Sequence, residues 1–137
     1  MNEAIYLSDV EIEEHYQQEQ PWSRPYSKGL QMLERDFHYK DDLIDITIAK
    51  NSVWDGASIP KIFWFTTVST YSPSFIKASL VHDYLYKTGL YDKKTADKVF
   101  YKILLECGVG KYTAWKMYKA VQVGGILPYR KWRKLCV

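Results

Sequence analysis

The spacing of apolar residues changes once along the ordered-looking part of this chain, and that change fixes the fold class. Before Pro60 apolar residues alternate with polar ones; after it they recur every three to four positions. In Leu43-Ile44-Asp45-Ile46-Thr47-Ile48-Ala49 the isoleucines alternate with Asp45, Thr47 and Ala49. Successive strand side chains point to opposite faces, and β-branched residues suit a pleated, half-buried surface. The pattern predicts a strand over 43–50, a second over 30–39, and Lys40-Asp41-Asp42 as the turn between them. After Pro60 three helices are expected. The first covers 74–87. The second opens with Asp92 as N-cap and carries Thr95, Ala96, Val99, Phe100, Ile103 and Leu104 on one stripe. Gly108 and Gly110 end it. The third covers 111–123, with Ala114, Met117, Tyr118 and Val121 on one face and Gly124-Gly125 as its stop.

The expected fold class is therefore α+β: a small N-terminal β-hairpin or sheet followed by a three-helix core. Upstream, Ser8 and Glu11 fit a capping box for a short helix over about 9–19, and Pro21, Pro25 and Gly29 break the chain. Three parts result: an acidic segment over 1–29, one α+β domain over 30–125 and a basic tail over 126–137. A chain of 137 residues is most simply one domain, and 47% hydrophobic residues supply a core. The 12 Tyr and 5 Trp suit half-buried positions where a polar tip finds a partner.

Several classes are disfavoured. No apolar run reaches the roughly 18 residues of a membrane span, and no signal peptide opens the chain. A soluble protein, or a component of a larger particle, is expected. The net charge of +3 is too mild to argue for nucleic acid, and no sequence-specific nucleic-acid partner is expected. The charge is uneven, however. Glu3, Asp9, Glu11, Glu13 and Glu14 precede any Lys or Arg, while Arg130, Lys131, Arg133 and Lys134 crowd the end. Such segments attract each other or two different partners, or are simply solvated surface. Cys107 and Cys136 make no disulfide framework and lack metal-site spacing.

The chemistry gathers in 43 residues, from Asp55 to Asp97. His82 and Asp83 are adjacent in Val-His-Asp-Tyr-Leu-Tyr; on a helix they project about 100° apart and line two walls of one pocket. Tyr86 neighbours both. Asp97 sits on the apolar side of the second helix, where a carboxylate wants a donor or a cation. His82 is the expected partner if the two helices run antiparallel across a link of eight or so residues. Asp97 would then fix the tautomer and leave the other ring nitrogen free as a base. Tyr118 is expected to donate to Asp97 from the third helix. Each has a plainer reading: a core histidine, an Asp in a helix's first turn, a packed tyrosine.

Asp55-Gly56-Ala57-Ser58-Ile59-Pro60 reads as a turn, since glycine tolerates positive φ. Such a turn exposes carbonyls, and calcium takes six to eight oxygens. Asp55, Gly56 and Asp83 are the candidate calcium ligands; the plainer reading is a structural turn capped by Asp55. The absence of a His/Cys cluster disfavours zinc. Trp54, Phe63, Trp64 and Phe65 flank the turn and suit either an apolar rim for substrate or ordinary core packing. With only His15, His38 and His82 in the chain, an HD-type phosphohydrolase lacks its further ligands.

The blocks D-G-A-S-I-P, H-D-Y-L-Y, A-D-K-V-F and M-Y-K-A-V-Q-V-G-G resemble a family of small uncharacterised proteins common in tailed phages and prophages, over roughly residues 30–125. Here Ser52-Val53-Trp54 stands where that family usually has Gly-Phe. H-D-x-x-Y on one helix, Asp-x-x-Phe on the next and an upstream calcium loop also resemble the phospholipase A2 fold. By that resemblance His82 is the base, Asp97 its partner, Asp83 a calcium ligand, and Asp55 or its loop another. The chain departs from it in having too few cysteines, a shorter His82–Asp97 interval and fewer loop glycines.

Two functions follow as expectations. One is a calcium-dependent, phospholipase A2-like ester hydrolase. The other is a non-enzymatic virion or tail-associated module that keeps the H-D motif for folding. The implied partners are phage particle proteins or a phospholipid or other ester substrate. The implied location is the host-cell cytoplasm during phage production, or the virion.

Overall fold

The structure, a computed structural model, describes residues 20–27, 30–55 and 73–135. The helix expected over 9–19 lies outside these residues. Among the described residues five strands precede four helices: β1 Ser23–Pro25, β2 Leu30–Leu33, β3 Phe37–Lys40, β4 Asp45–Ile48 and β5 Val53–Asp55, then α1 Pro73–Thr88, α2 Lys93–Glu106, α3 Lys111–Gly124 and α4 Ile126–Leu135. The class is α+β, with small antiparallel sheets before the helices.

The sheet region differs in one respect from the alternation pattern. The stretch 30–39 is not one strand but two, belonging to different sheets. β2 sits between β1 and β5, and β3 pairs only with β4. The break falls at Glu34-Arg35-Asp36, where Glu34 N donates to Trp22 O at 2.6 Å and the Asp36 carboxylate accepts from Lys50 N at 2.7 Å. The inward positions keep one parity on either side of the bend, Gln31 and Leu33 before it and Phe37 and Tyr39 after it, but Glu34, Arg35 and Asp36 are all exposed. Parity alone does not reveal the break; the three consecutive charged residues Glu34-Arg35-Asp36 mark it. β1 likewise falls inside the segment expected to be an acidic lead-in.

The β3–β4 hairpin follows the expected alternation. Phe37 pairs with Ile48 and Tyr39 with Ile46, which puts all four on the core side. Its turn is held by Asp41, whose Oδ1 accepts from Leu43 N at 2.7 Å and Ile44 N at 2.8 Å. Asp side chains commonly close turns in this way. On the outer face His38 meets Asp45 at 2.7 Å, but both side chains are more than half exposed. Solvent-exposed pairs of this kind add little stability.

α2 begins as its sequence dictates: Asp92 accepts from Thr95 N at 2.8 Å, and Ala96, Val99, Phe100, Ile103 and Leu104 are buried. A link of only four residues, 89–92, joins it to α1. α1 is welded to the sheets through Trp54, which is 1% exposed and whose indole N–H donates to Ser79 Oγ at 3.1 Å. No helix among the described residues is long and apolar enough to cross a membrane.

The basic C-terminal stretch, expected as a tail, forms α4. Gly125 ends α3, but the chain turns straight into a new helix and packs back on α1. Arg133 donates from Nη2 to Tyr86 O at 2.6 Å and Lys87 O at 2.9 Å. These are carbonyls of the last turn of α1, which lack helical partners. Gly89 makes the approach feasible. It has φ +64°, and a Cβ there would lie 1.2 Å from Arg133 Nη1. Gly89→Ala should therefore cost about 1–3 kcal/mol in urea unfolding, from backbone strain and the displaced guanidinium. Gly89→Ala in an Arg133→Ala background should cost less. Equal losses in the two backgrounds would mean that Arg133 does not seat there.

Candidate functional site

Asp97 is the centre of the site. It lies in the first turns of α2, facing α1, and is 1% exposed. An ionised carboxylate removed from water needs partners, and three donors reach it. His82 Nε2 lies 2.7 Å from Oδ1, Tyr86 donates its hydroxyl to the same oxygen at 2.6 Å, and Lys93 Nζ lies 2.6 Å from Oδ2. His82 and Tyr86 are four residues apart on α1, and Lys93 and Asp97 four apart on α2; in each case helical spacing puts the pair on one face. Lys93 also donates to Gln122 O on α3 at 2.8 Å.

Burial acts first on the Asp97 acid and raises its pKa. Hydrogen bonds from His82, Lys93 and Tyr86 outweigh that, and the net effect is a value below the ordinary 3.8. The Tyr86 hydroxyl moves the other way. Burial, then its bond to the Asp97 carboxylate, hold it protonated well above its ordinary 10.0. Asp97 is thus a carboxylate and Tyr86 a neutral donor at any physiological pH.

A carboxylate only accepts hydrogen bonds, so the His82 nitrogen facing it carries the proton. The neutral ring then has its lone pair on Nδ1. Among the described residues no group bonds Nδ1, and the side chain keeps 14% of its surface exposed. The ring is fixed by Tyr86, with centroids 4.1 Å apart, and by Phe100 at 5.1 Å. A positioned imidazole with one nitrogen on a buried carboxylate and the other open is suited to accept a proton.

The other candidates are placed as follows. Tyr118 does not reach Asp97; its ring lies against Tyr101 at 5.0 Å, and Tyr86 holds the place expected for it. The α1 spacing signals Tyr86, but the apolar stripe of α3 pointed to Tyr118 instead. Trp54 is in the core, not at a rim. Asp83 pairs with Lys87 at 2.8 Å. Asp55 ends β5, its backbone paired with Leu30; its side chain, Gly56, Phe63, Trp64 and Phe65 lie outside the described residues. Among the described residues no three His, Cys, Asp or Glu side chains gather as metal ligands.

Three supporting residues were not legible as site residues. Lys93 reads in sequence as an ordinary surface lysine. Gly125 reads as a helix stop, yet a Cβ there would lie 2.3 Å from the Tyr86 hydroxyl. Tyr129 on α4 meets the Tyr86 ring edge-on at 5.2 Å.

Residues 31–121, which contain both His82 and Asp97, match the family model described as "Protein of unknown function (DUF1353)". The chain belongs to the DUF1353 family. It is 35% identical over 94 residues to the uncharacterized protein y4jT of Sinorhizobium fredii, covering 68% of this chain and 28% of that protein. It is 29% identical over 102 residues to the uncharacterized protein y4iH of the same organism, covering 74% of this chain and 43% of that one. The chain thus spans less than half the length of these curated relatives. No solved structure matches it. DUF1353 membership carries no activity, and neither a phage association nor a phospholipase likeness follows from these matches.

Asp97→Asn should lower neutral-pH stability by about 3–5 kcal/mol, because Lys93 loses a buried counter-charge and His82 and Tyr86 lose their ionised acceptor. The folded pKa of Asp97 is depressed, so its contribution is complete above the unfolded value near 3.8 and fades as pH falls through the lower folded value. The gap between wild type and Asp97→Asn in chemical unfolding should accordingly narrow below about pH 4. A gap that is constant from neutral to strongly acidic pH would contradict the ionised, triply bonded carboxylate.

Proposed function

We propose that this chain carries a general-base hydrolase centre in which His82 Nδ1 takes a proton from water as that water attacks an ester carbonyl. Asp97 holds the ring in the required tautomer and balances the charge of the imidazolium that forms. Tyr86 and Lys93 fix Asp97. The proton later passes from the imidazolium to the leaving alkoxide, so the centre returns to its starting state. The observation that carries this reading is the pairing of His82 Nε2 with buried Asp97 at 2.7 Å while no group among the described residues bonds Nδ1. General-base assistance of this kind is worth roughly 10²–10⁴-fold.

Phospholipid is the proposed substrate class, on the resemblance of H-D-x-x-Y and the upstream turn to the phospholipase A2 pattern. Calcium is the proposed metal on the same ground, with the Asp55-Gly56 turn and Asp83 as its ligands. Asp83 is engaged by Lys87, and the described residues alone do not form such a site, so the proton transfer above is written from the protein groups only. When bound, calcium would polarise the ester carbonyl.

A second reading has its own support. Asp97 and Asp83 each have a lysine four residues away in an ion pair, which suits a structural clasp as well as a catalytic one. On that reading the chain is a non-enzymatic module of a phage particle, and the His82–Asp97 pair serves folding.

Fatty-acid release from mixed anionic phospholipid vesicles, with calcium and with chelator, separates the two. Wild type should release fatty acid, and His82→Ala should lose the reaction by about 10²-fold or more while still folding. Release that ignores His82, or no release in either condition, would leave the structural reading in place.

A further inference from the structure

Charge along this chain is segregated more sharply than the net value suggests. Residues 1–19 hold six Asp and Glu and no Lys or Arg, whereas the residues after Glu106 hold seven Lys and Arg and no Asp or Glu. The outer face of α3 presents part of that positive charge together with apolar surface. Tyr112, Trp115, Lys116, Lys119 and Val123 follow one another at helical spacing, opposite the buried Ala114, Met117 and Ala120. Tyr112 is 69% exposed, Trp115 49% and Val123 74%.

The face is ordered among its own members. The Tyr112 and Trp115 rings are stacked, 6.5 Å apart and 12° from parallel. Lys116 Nζ lies 4.3 Å from the centroid of Tyr112, and Lys119 Nζ lies 5.9 Å from that of Trp115. Contiguous apolar surface rimmed by one sign of charge usually marks a contact site, and the sign here calls for an anion.

The start of the described chain lies against the link that precedes this helix. Gln20 Nε2 is 3.7 Å from Cys107 Sγ. Cys107 caps the end of α2, and α3 begins four residues later at Lys111. Gln20, which follows the acidic segment, therefore lies against Cys107 on the α2–α3 link, four residues ahead of the basic helix in sequence. Nineteen residues reach up to about 60 Å when extended, and a 14-residue helix measures about 21 Å. A tethered segment also competes at millimolar effective concentration, ahead of any free polyanion.

We propose that the occupant of the Tyr112–Trp115–Lys116–Lys119 face is the chain's own acidic segment, residues 1–19. It covers the aromatic surface and neutralises the lysines, and an external polyanion must displace it to bind there. This contact is independent of the His82 chemistry.

Zero-length carbodiimide cross-linking of the full chain, with the products mapped by mass spectrometry, tests it. At low salt the monomer should contain links from Glu11, Glu13, Glu14 or Glu19 to Lys116 or Lys119. These should be lost near 1 M salt, where the Debye length is about 3 Å. A full-length variant with all six acids changed to Asn or Gln should elute from immobilised heparin at higher salt than wild type. Absence of the links from the monomer, or equal elution of the two proteins, overturns the proposal. Links found only in a cross-linked dimer also overturn it, and assign the face to a second copy of the chain.

Discussion

One buried carboxylate holds the helical half of this molecule together. Removing an ionised Asp from water costs several kcal/mol unless donors replace the water. Asp97 gains that replacement only when α1 supplies His82 and Tyr86 and its own helix supplies Lys93. Lys93 in turn bonds Gln122 O on α3. Tyr86 fits only because Gly125 leaves space for its hydroxyl, and Tyr129 of α4 meets its ring edge. All four helices among the described residues thus answer to Asp97. The apolar stripe of α2 supplies most of the burial, but it does not by itself dictate which helix faces which.

The same geometry sets what the site can do. A clasp needs only that Asp97 be satisfied. A base needs an imidazole with one nitrogen committed and one open, and among the described residues that is what the orientation of His82 leaves. His38 and Asp45 show why environment matters. Their bond is equally short, but it lies in solvent, where neither the tautomer nor the ring position is held. Distance is the same in the two pairs; burial and the flanking Tyr86 and Phe100 rings distinguish them.

Much of this was legible in the chain. Ile44, Ile46 and Ile48 announced their strand, Asp92 announced the start of its helix, and His82 with Asp97 announced a pair. What was not legible had physical causes. The split of 30–39 was missed because the inward residues keep the same parity on both sides of the bend, although the charged run Glu34-Arg35-Asp36 interrupts the alternation itself. The fourth helix was hidden because Gly124-Gly125 and a run of basic residues look like an ending, and only the α1 carbonyls explain why Arg133 is there. Tyr118 and Tyr86 both lie on inward-facing stripes, and the choice between them depends on which helix approaches Asp97. Lys93 is an ordinary helix-start lysine until the fold brings Asp97 and Gln122 to it.

The central claim is that Asp97 fixes His82 with its proton on Nε2 and leaves Nδ1 unprotonated. Long-range ¹⁵N–¹H correlation spectra of the neutral histidine ring test it directly. His82 should show a protonated Nε2 and a bare Nδ1, with a slowly exchanging Nε2 proton that disappears in Asp97→Asn. A proton on Nδ1, or the same spectrum in the variant as in the wild type, would contradict the account.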